Sequence, residues 1–237
     1  MKWLILGIVI LLSLSLLFIS MPQTIYHYGD ADTSSRLMSH DFTESDVIDD
    51  WGSYDGEPTN VDWVTEGASF DSDGDIQIPG TADLTVGEDI KTICMRGKKN
   101  NPADGWDRFL SNYEVHFREQ KNLDSYRVVY GDYAHAFGHV GEFQEVCLTF
   151  YDDQACTYIP GRTSPACGSY DIQSSSDDFV VGSTYHSLHH LNGTVSYVKM
   201  WEKGYPEHQI RSYFEKGYIP ETLGTCSDGE KNGDEVE

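Results

Sequence analysis

Glu114-Val-His-Phe-Arg-Glu119 is the nearest this chain comes to paired carboxylates set for acid–base work. Glycosidic bonds are cleaved between two such groups, one acting as acid and the other as nucleophile or base. Three features argue against that chemistry. The position that would hold an acidic partner tuning the nucleophile is His116. In a regular strand Glu119 faces opposite to Glu114. No H-E-x-x-H zinc pattern and no G-x-S-x-G nucleophile turn occurs anywhere. The sequence therefore reads as a non-enzymatic chain, with glycoside hydrolysis a distant third choice of function.

Metal chemistry has better raw material. Asp49-Asp50-Trp-Gly-Ser-Tyr-Asp55-Gly56 gathers carboxylates with backbone carbonyls, the hard oxygen set that Ca²⁺ requires. Asp50 and Asp55 are the candidate ligands. Asp71, Asp73 and Asp75 resemble the start of an EF-hand, but the rest of the twelve-residue loop and its closing Glu are missing. His186, His189 and His190 have spacing that could hold a transition metal, although loop histidines are more commonly plain surface residues.

These residues sit in a 237-residue chain with 39 acidic and 16 basic side chains, a net charge of −23. Phosphate binding needs a basic face, so nucleic acid is excluded as a partner. An Asp-rich, Lys-poor surface fits a high-salt environment, where screening shortens charge repulsion. Residues 3 to 20 form a nearly continuous apolar run that spans about 27 Å as a helix. It reads as a transmembrane anchor or a signal peptide (residues 1–20), and no A-x-A-like cleavage site follows. Lys2 ahead of the run and acids behind it place the bulk outside, either membrane-anchored or secreted. Five cysteines follow in an exported, oxidising setting, so disulfides are expected and one thiol is left over or pairs with another chain. Asn192-Gly-Thr194 is an N-glycosylation sequon.

Residues 21–35 read as a linker and 219–237 as an acidic tail. Between them, short aromatic and β-branched runs are broken by Gly, Asp and Asn, the mark of an antiparallel β-fold. Tyr113–Arg118 alternates, with Tyr113, Val115 and Phe117 on one face and Glu114, His116 and Arg118 on the other. Tyr126–Tyr130 and Glu145–Tyr151 are further strands. Asp152-Asp153 and Pro160-Gly161 are turn pairs. The latter turn brings Cys156 near Cys167, which makes them one expected pair, with a different connectivity as the alternative. One soluble helix starts at Pro206, with Ile210, Tyr213 and Phe214 on a stripe and Gly217 as its cap.

Four segments taken in order carry a family resemblance. They are Gly67-Ala-Ser-Phe-Asp-Ser-Asp-Gly-Asp-Ile-Gln-Ile-Pro79, Ile90-Lys-Thr-Ile-Cys94, Phe143-Gln-Glu-Val-Cys147-Leu-Thr-Phe-Tyr-Asp152 and Gly193-Thr-Val-Ser-Tyr-Val-Lys-Met-Trp201. Together they resemble a laminin-G/pentraxin-like domain of the concanavalin A-like class. The resemblance implies an all-β, two-sheet antiparallel jelly-roll sandwich over residues 36–218. It implies a Cys94–Cys147 disulfide, which leaves Cys226 as the odd thiol. It also implies Ca²⁺ at the Asp50/Asp55 loop. Two departures weigh against the metal: Ser196 stands where many relatives have Asp, and Gly182–His190 offers no carboxylate. The function implied is an extracellular recognition module binding glycan or protein at a cell or virion surface. The alternative is a structural component of a surface assembly, which would include oligomers.

Overall fold

In strands rich in aromatic and β-branched residues, alternation decides which side chains meet the core. The computed structural model describes residues 28–52, 54–100, 107–112, 114–119, 125–131, 133–138, 141–171, 177–184 and 190–222. Two compact units emerge, Met1–Ala31 with Pro220–Glu237, and Asp32–Ile219. In the first, β1 (Tyr28–Ala31) pairs antiparallel with β15 (Pro220–Thr222). These strands fall in the stretches that read as linker and acidic tail. The apolar run, and with it the expected N-terminal hydrophobic helix, lies outside the described residues, as does Cys226. Among the described residues no helix is long and apolar enough to cross a membrane.

The second unit opens with β2 (Arg36–Asp41), β3 (Glu57–Val64), β4 (Gly67–Ile78) and β5 (Thr92–Lys99). It continues with β6 (Arg108–Ser111), β7 (Val115–Glu119), β8 (Tyr126–Tyr130) and β9 (Tyr133–Phe137). Then come β10 (Gln144–Tyr151), β11 (Gln154–Tyr158), β12 (Ala166–Gly168), β13 (Phe179–Val181) and β14 (Asn192–Trp201), and last the helix α1 (Glu207–Lys216). Hydrogen bonding follows one path, β12-β11-β10-β5-β14-β4-β13-β6-β7-β8-β9, with β2 joined to β14 and β3 to β4. The fold is all-β and antiparallel, with a single α-helix among the described residues.

The sheet curls until the ends of this path meet, giving a nearly closed barrel. The Tyr133 hydroxyl on β9 donates to the Ala166 carbonyl of β12 at 2.7 Å. It also shares a 2.7 Å hydrogen bond with the Thr157 hydroxyl of β11. Midway, the Lys99 amide of β5 donates to the Tyr126 hydroxyl of β8 at 2.9 Å. The enclosed core is aromatic-rich, with Phe109 edge-on to Tyr126 and Tyr130 edge-on to Phe150, both at 4.8 Å between centroids. Edge-to-face pairs of this kind contribute about 0.5–1.5 kcal/mol beyond their buried area.

Turn chemistry follows local rules. Asp152 and Asp153 both adopt left-handed backbone, with φ of 50° and 57°, and close the β10–β11 hairpin between Tyr151 and Gln154. Two left-handed residues match the twist of paired strands, and Asp tolerates that region better than most side chains. Gly67 opens β4 at φ 138°, where a Cβ would lie 2.2 Å from the Val195 carbonyl of β14. No other residue fits that approach.

α1 covers the outer face of β10, β5 and β14. Pro206 precedes it, and the amide of left-handed Gly217 donates to the Tyr213 carbonyl at 2.8 Å. Ile210 and Tyr213 of its apolar stripe pack onto Trp201, Tyr205, Tyr158 and the cysteines, forming a second apolar cluster outside the barrel.

Candidate functional site

The row of guanidinium groups across β6, β7 and β8 is the feature with most chemical promise. Arg108 lies opposite Arg118, and Arg118 lies opposite Arg127 in the strand register. Their strand neighbours Phe109, Phe117, Tyr126 and Val128 are buried in the core. Alternation therefore turns the three arginines and His116 to the outer face of the same strands. Arg108 is buried, while Arg118, Arg127 and His116 are half-buried.

Electrostatics confirm that these groups act on one another. Burial lowers the proton affinity of Arg118, and neighbouring Arg127 lowers it further. His116 is pushed down to about 3, first by burial and then by Arg108 and Arg118. It is a neutral ring at neutral pH. The band continues to β9, where burial, Arg162 and Arg127 hold His135 below its usual range. Arg162 Nη1 lies 3.2 Å from His135 Nε2. Like charges at neighbouring positions repel, and a chain with 39 acids against 16 bases has carboxylates in excess to separate them. A row of planar five-donor forks suits an incoming carboxylate.

Glu114 sits immediately before β7. Its carboxylate accepts from the Val86 amide at 3.3 Å, and its side chain is part of a residue only 3% exposed. Burial pushes it up to about 7, against a smaller lowering by that amide. A raised carboxyl costs the fold nothing below the ordinary value of 4.5, and the cost grows as pH rises from there through about 7. Glu114→Gln is therefore expected to stabilise the protein by about 1–3 kcal/mol at pH 8 and to be nearly neutral at pH 4. Urea denaturation at the two pH values measures this, and equal effects at both would count against a titrating Glu114. Glu119 pairs with Tyr126 in the ladder, and its side chain is outside the described set.

The acidic loop is largely self-satisfied. Asp49 accepts from the amides of Ser39, Trp51 and Tyr54 at 2.8, 3.0 and 3.2 Å. Asp55 accepts from the Asp49 amide at 2.9 Å, and Asp50 from the Ser39 hydroxyl at 3.4 Å. Among the described residues no group of three or more His, Cys, Asp or Glu side chains is arranged to hold a metal ion. Asp75 is buried beneath the Ser183 hydroxyl at 3.3 Å. His190 contacts the Gly74 carbonyl at 3.3 Å, whereas His186 and His189 lie outside the described residues. Asn192 opens β14, half-buried, opposite Asp71. Cys94 is bonded to Cys147 and Cys156 to Cys167, each pair directly opposite across adjacent strands.

No family model and no curated protein sequence matches the chain. Similar solved structures do exist. A Trypanosoma rangeli sialidase mutant displaying trans-sialidase activity is 18% identical with a TM-score of 0.61, covering 77% of this chain and 33% of that one. The T. rangeli sialidase in complex with sialic acid is 17% identical with a TM-score of 0.60, over 78% and 33% of the two chains. Domain 4 of AbnA, a GH43 extracellular arabinanase from Geobacillus stearothermophilus in complex with arabinotriose, is 12% identical with a TM-score of 0.57. That match covers 75% of this chain and 97% of the domain. The chain thus spans about a third of the sialidases' length.

These findings correct three expectations. The laminin-G/pentraxin resemblance is not supported, since no family model matches and the neighbours are sialidases and an arabinanase domain. The residues that carried it include Phe70 and Trp201, which are 1% and 2% exposed. They mark packing positions that a curled antiparallel sheet needs whatever its family. The reading as a non-enzymatic surface module, and the exclusion of enzymes, also fall. The same fold occurs in proteins named as sialidases, so missing motifs cannot exclude glycoside chemistry.

Proposed function

We propose that this chain engages an acidic glycan through the arginine row of β6, β7 and β8, in the service of glycoside-hydrolase chemistry. The observation that carries the reading is the cross-strand alignment of Arg108, Arg118 and Arg127 in a chain of net charge −23. The similarity to a sialidase solved with sialic acid and to an arabinanase domain solved with arabinotriose supports a saccharide ligand. We read the single curled strand path as a flattened, two-layer jelly roll. One layer runs through β10, β5 and β14, the other through β6 to β9, and the arginines sit on the outer face of the second.

Isothermal titration with sialic acid and with arabinotriose tests this reading. The acidic sugar is expected to bind more tightly. Arg118→Met, which keeps the apolar stem, is expected to weaken sialic acid by about tenfold or more, since hydrogen bonds to charged groups contribute about 1.5–3 kcal/mol. Arabinotriose binding that matches sialic acid and is indifferent to Arg118 would overturn it.

Glycoside hydrolysis by the chain itself is the second reading, and Glu114 favours it. A carboxyl pushed up to about 7 holds its proton near neutral pH, as a general acid must. Its burial means that turnover requires the Val86 segment to move. Release of an aryl alcohol from aryl sialosides, abolished in Glu114→Gln, is the expected signature.

A further inference from the structure

The structure assigns a second, separate anion site to the cavity beneath Trp51, on the outer face of β2 and β14, with a single sugar-acid unit as its ligand. The cavity measures about 210 Å³, and Arg36, Trp51, Lys199, Trp201, Tyr218 and Asp32 are among its lining residues. That volume is below the range of about 300–1,000 Å³ that houses drug-sized ligands, so it suits one monosaccharide-sized unit.

Charge decides the ligand class. The Arg36 guanidinium lies 4.9 Å from the centre of the Trp51 ring, and Lys199 Nζ lies 5.8 Å from it. Among the described residues neither cation has a carboxylate within ion-pair distance. The one acid in the lining is already engaged. Asp32 Oδ2 accepts from Lys203 Nζ at 3.2 Å and from the Tyr205 hydroxyl at 3.1 Å, while Oδ1 accepts from the Ser34 hydroxyl at 2.8 Å. Lys203 thus neutralises Asp32, and Arg36 and Lys199 remain as cations in the lining, Lys199 also within electrostatic reach of Glu145 behind it. In so acidic a chain, cations held on an aromatic ring instead of a carboxylate leave their forward donors for a ligand.

The walls decide the rest. Trp201, 2% exposed, packs 5.2 Å from Trp51 at 58° and anchors it against β14. Tyr218, just past α1, is 38% exposed at the cavity. Aromatic surface beside a cation pair accommodates the apolar face of a sugar ring while the cations take its carboxylate. A bare inorganic anion would use the charges and leave the rings idle. The site lies across the apolar core from the arginine row, since Val198 and Met200 of β14 and Phe117 and Val128 of β7 and β8 all point into that core. It does not depend on the arginine row being a glycan site.

Titration of the full chain with glucuronate, glucose and inorganic sulfate, followed by tryptophan fluorescence and by calorimetry, tests the assignment. Glucuronate is expected to saturate, with glucose and sulfate each at least tenfold weaker. Arg36→Met and, separately, Lys199→Met are expected to weaken glucuronate about tenfold as read by tryptophan fluorescence, because Trp51 and Trp201 line this cavity and not the arginine row. If Arg36→Met fails to fold, the half-buried Lys199→Met carries the test. Equal affinity for glucuronate and glucose overturns the anion site, and equal affinity for sulfate overturns the sugar-acid class. Loss of glucuronate in Arg118→Met but not in Arg36→Met or Lys199→Met moves the carboxylate to the arginine row and also overturns it.

Discussion

Replacing Asp107 with alanine is expected to cost about 3–5 kcal/mol. The cause lies in β5. Its alternation points Ile93, Met95, Gly97 and Lys99 inward and Cys94, Arg96 and Lys98 outward. Lys99 is thus a charged residue on an apolar face, 1% exposed. The Asp107 carboxylate, 12% exposed, meets its ammonium at 3.0 Å. Taking a charge out of water is costly, and only a close counter-charge offsets it. Removing Asp107 strips the ammonium of that carboxylate and leaves the desolvation cost standing. Removing Lys99 is expected to cost less, because the remaining carboxylate is nearer to solvent. The pair Lys99→Met with Asp107→Leu removes both charges and fills the space, so it is expected to be within about 1 kcal/mol of wild type or more stable. Urea denaturation of the four proteins gives the coupling energy directly. An Asp107→Ala cost below about 1 kcal/mol would show that water or another group already solvates Lys99.

Lys99 also shows why part of the fold was hidden in the sequence. The runs at 126–130 and 145–151 read as strands, and β8 and β10 form there, with burial alternating along β8 but continuous from Val146 to Phe150 of β10, whose other face α1 covers. The helix after Pro206 is equally local, with its stripe and its glycine cap in the expected places. Periodicity reports which face a residue takes, however, and not which strand lies beside it. The closure of Tyr133 onto Thr157 and Ala166 joins residues 24 and 33 positions apart, through a pairing order that no local pattern encodes. The arginine row is an intermediate case. Alternation in the sequence puts Arg118 on the face of Glu114 and His116, and Arg127 lies in the next strand. Only the register that sets Arg118 against Arg127, and Arg108 beyond them, turns scattered arginines into a row. The family resemblance failed for a related reason. Glycine and aromatic positions at strand starts and ends report packing, which unrelated curled sheets share.

Cys94→Ala combined with Cys147→Ala is expected to destabilise the protein by about 3–4 kcal/mol, a fall of roughly 6–16 °C in melting temperature for a unit of this size. The bridge spans 53 residues between β5 and β10. Its main effect is to forbid the unfolded chain the conformations in which those strands separate. The folded ladder hardly needs it, because Cys94 and Cys147 already face each other within a continuous run of paired residues. The Cys156–Cys167 bridge closes only 11 residues, around the Pro160-Gly161 turn. Loop-closure entropy makes its removal cheaper by about 1.4 kcal/mol if chain entropy alone decides. Packing pushes the same way. Cys94 and Cys147 are fully buried under α1 among Trp201 and Tyr213, so their loss also opens space there, whereas Cys167 is exposed. Both double variants, melted side by side under oxidising conditions, give the comparison. A larger loss from the short-loop pair would mean that the β11–β12 hairpin, where Tyr133 seals the two ends of the sheet, depends on its disulfide for native geometry and not only for unfolded-state entropy.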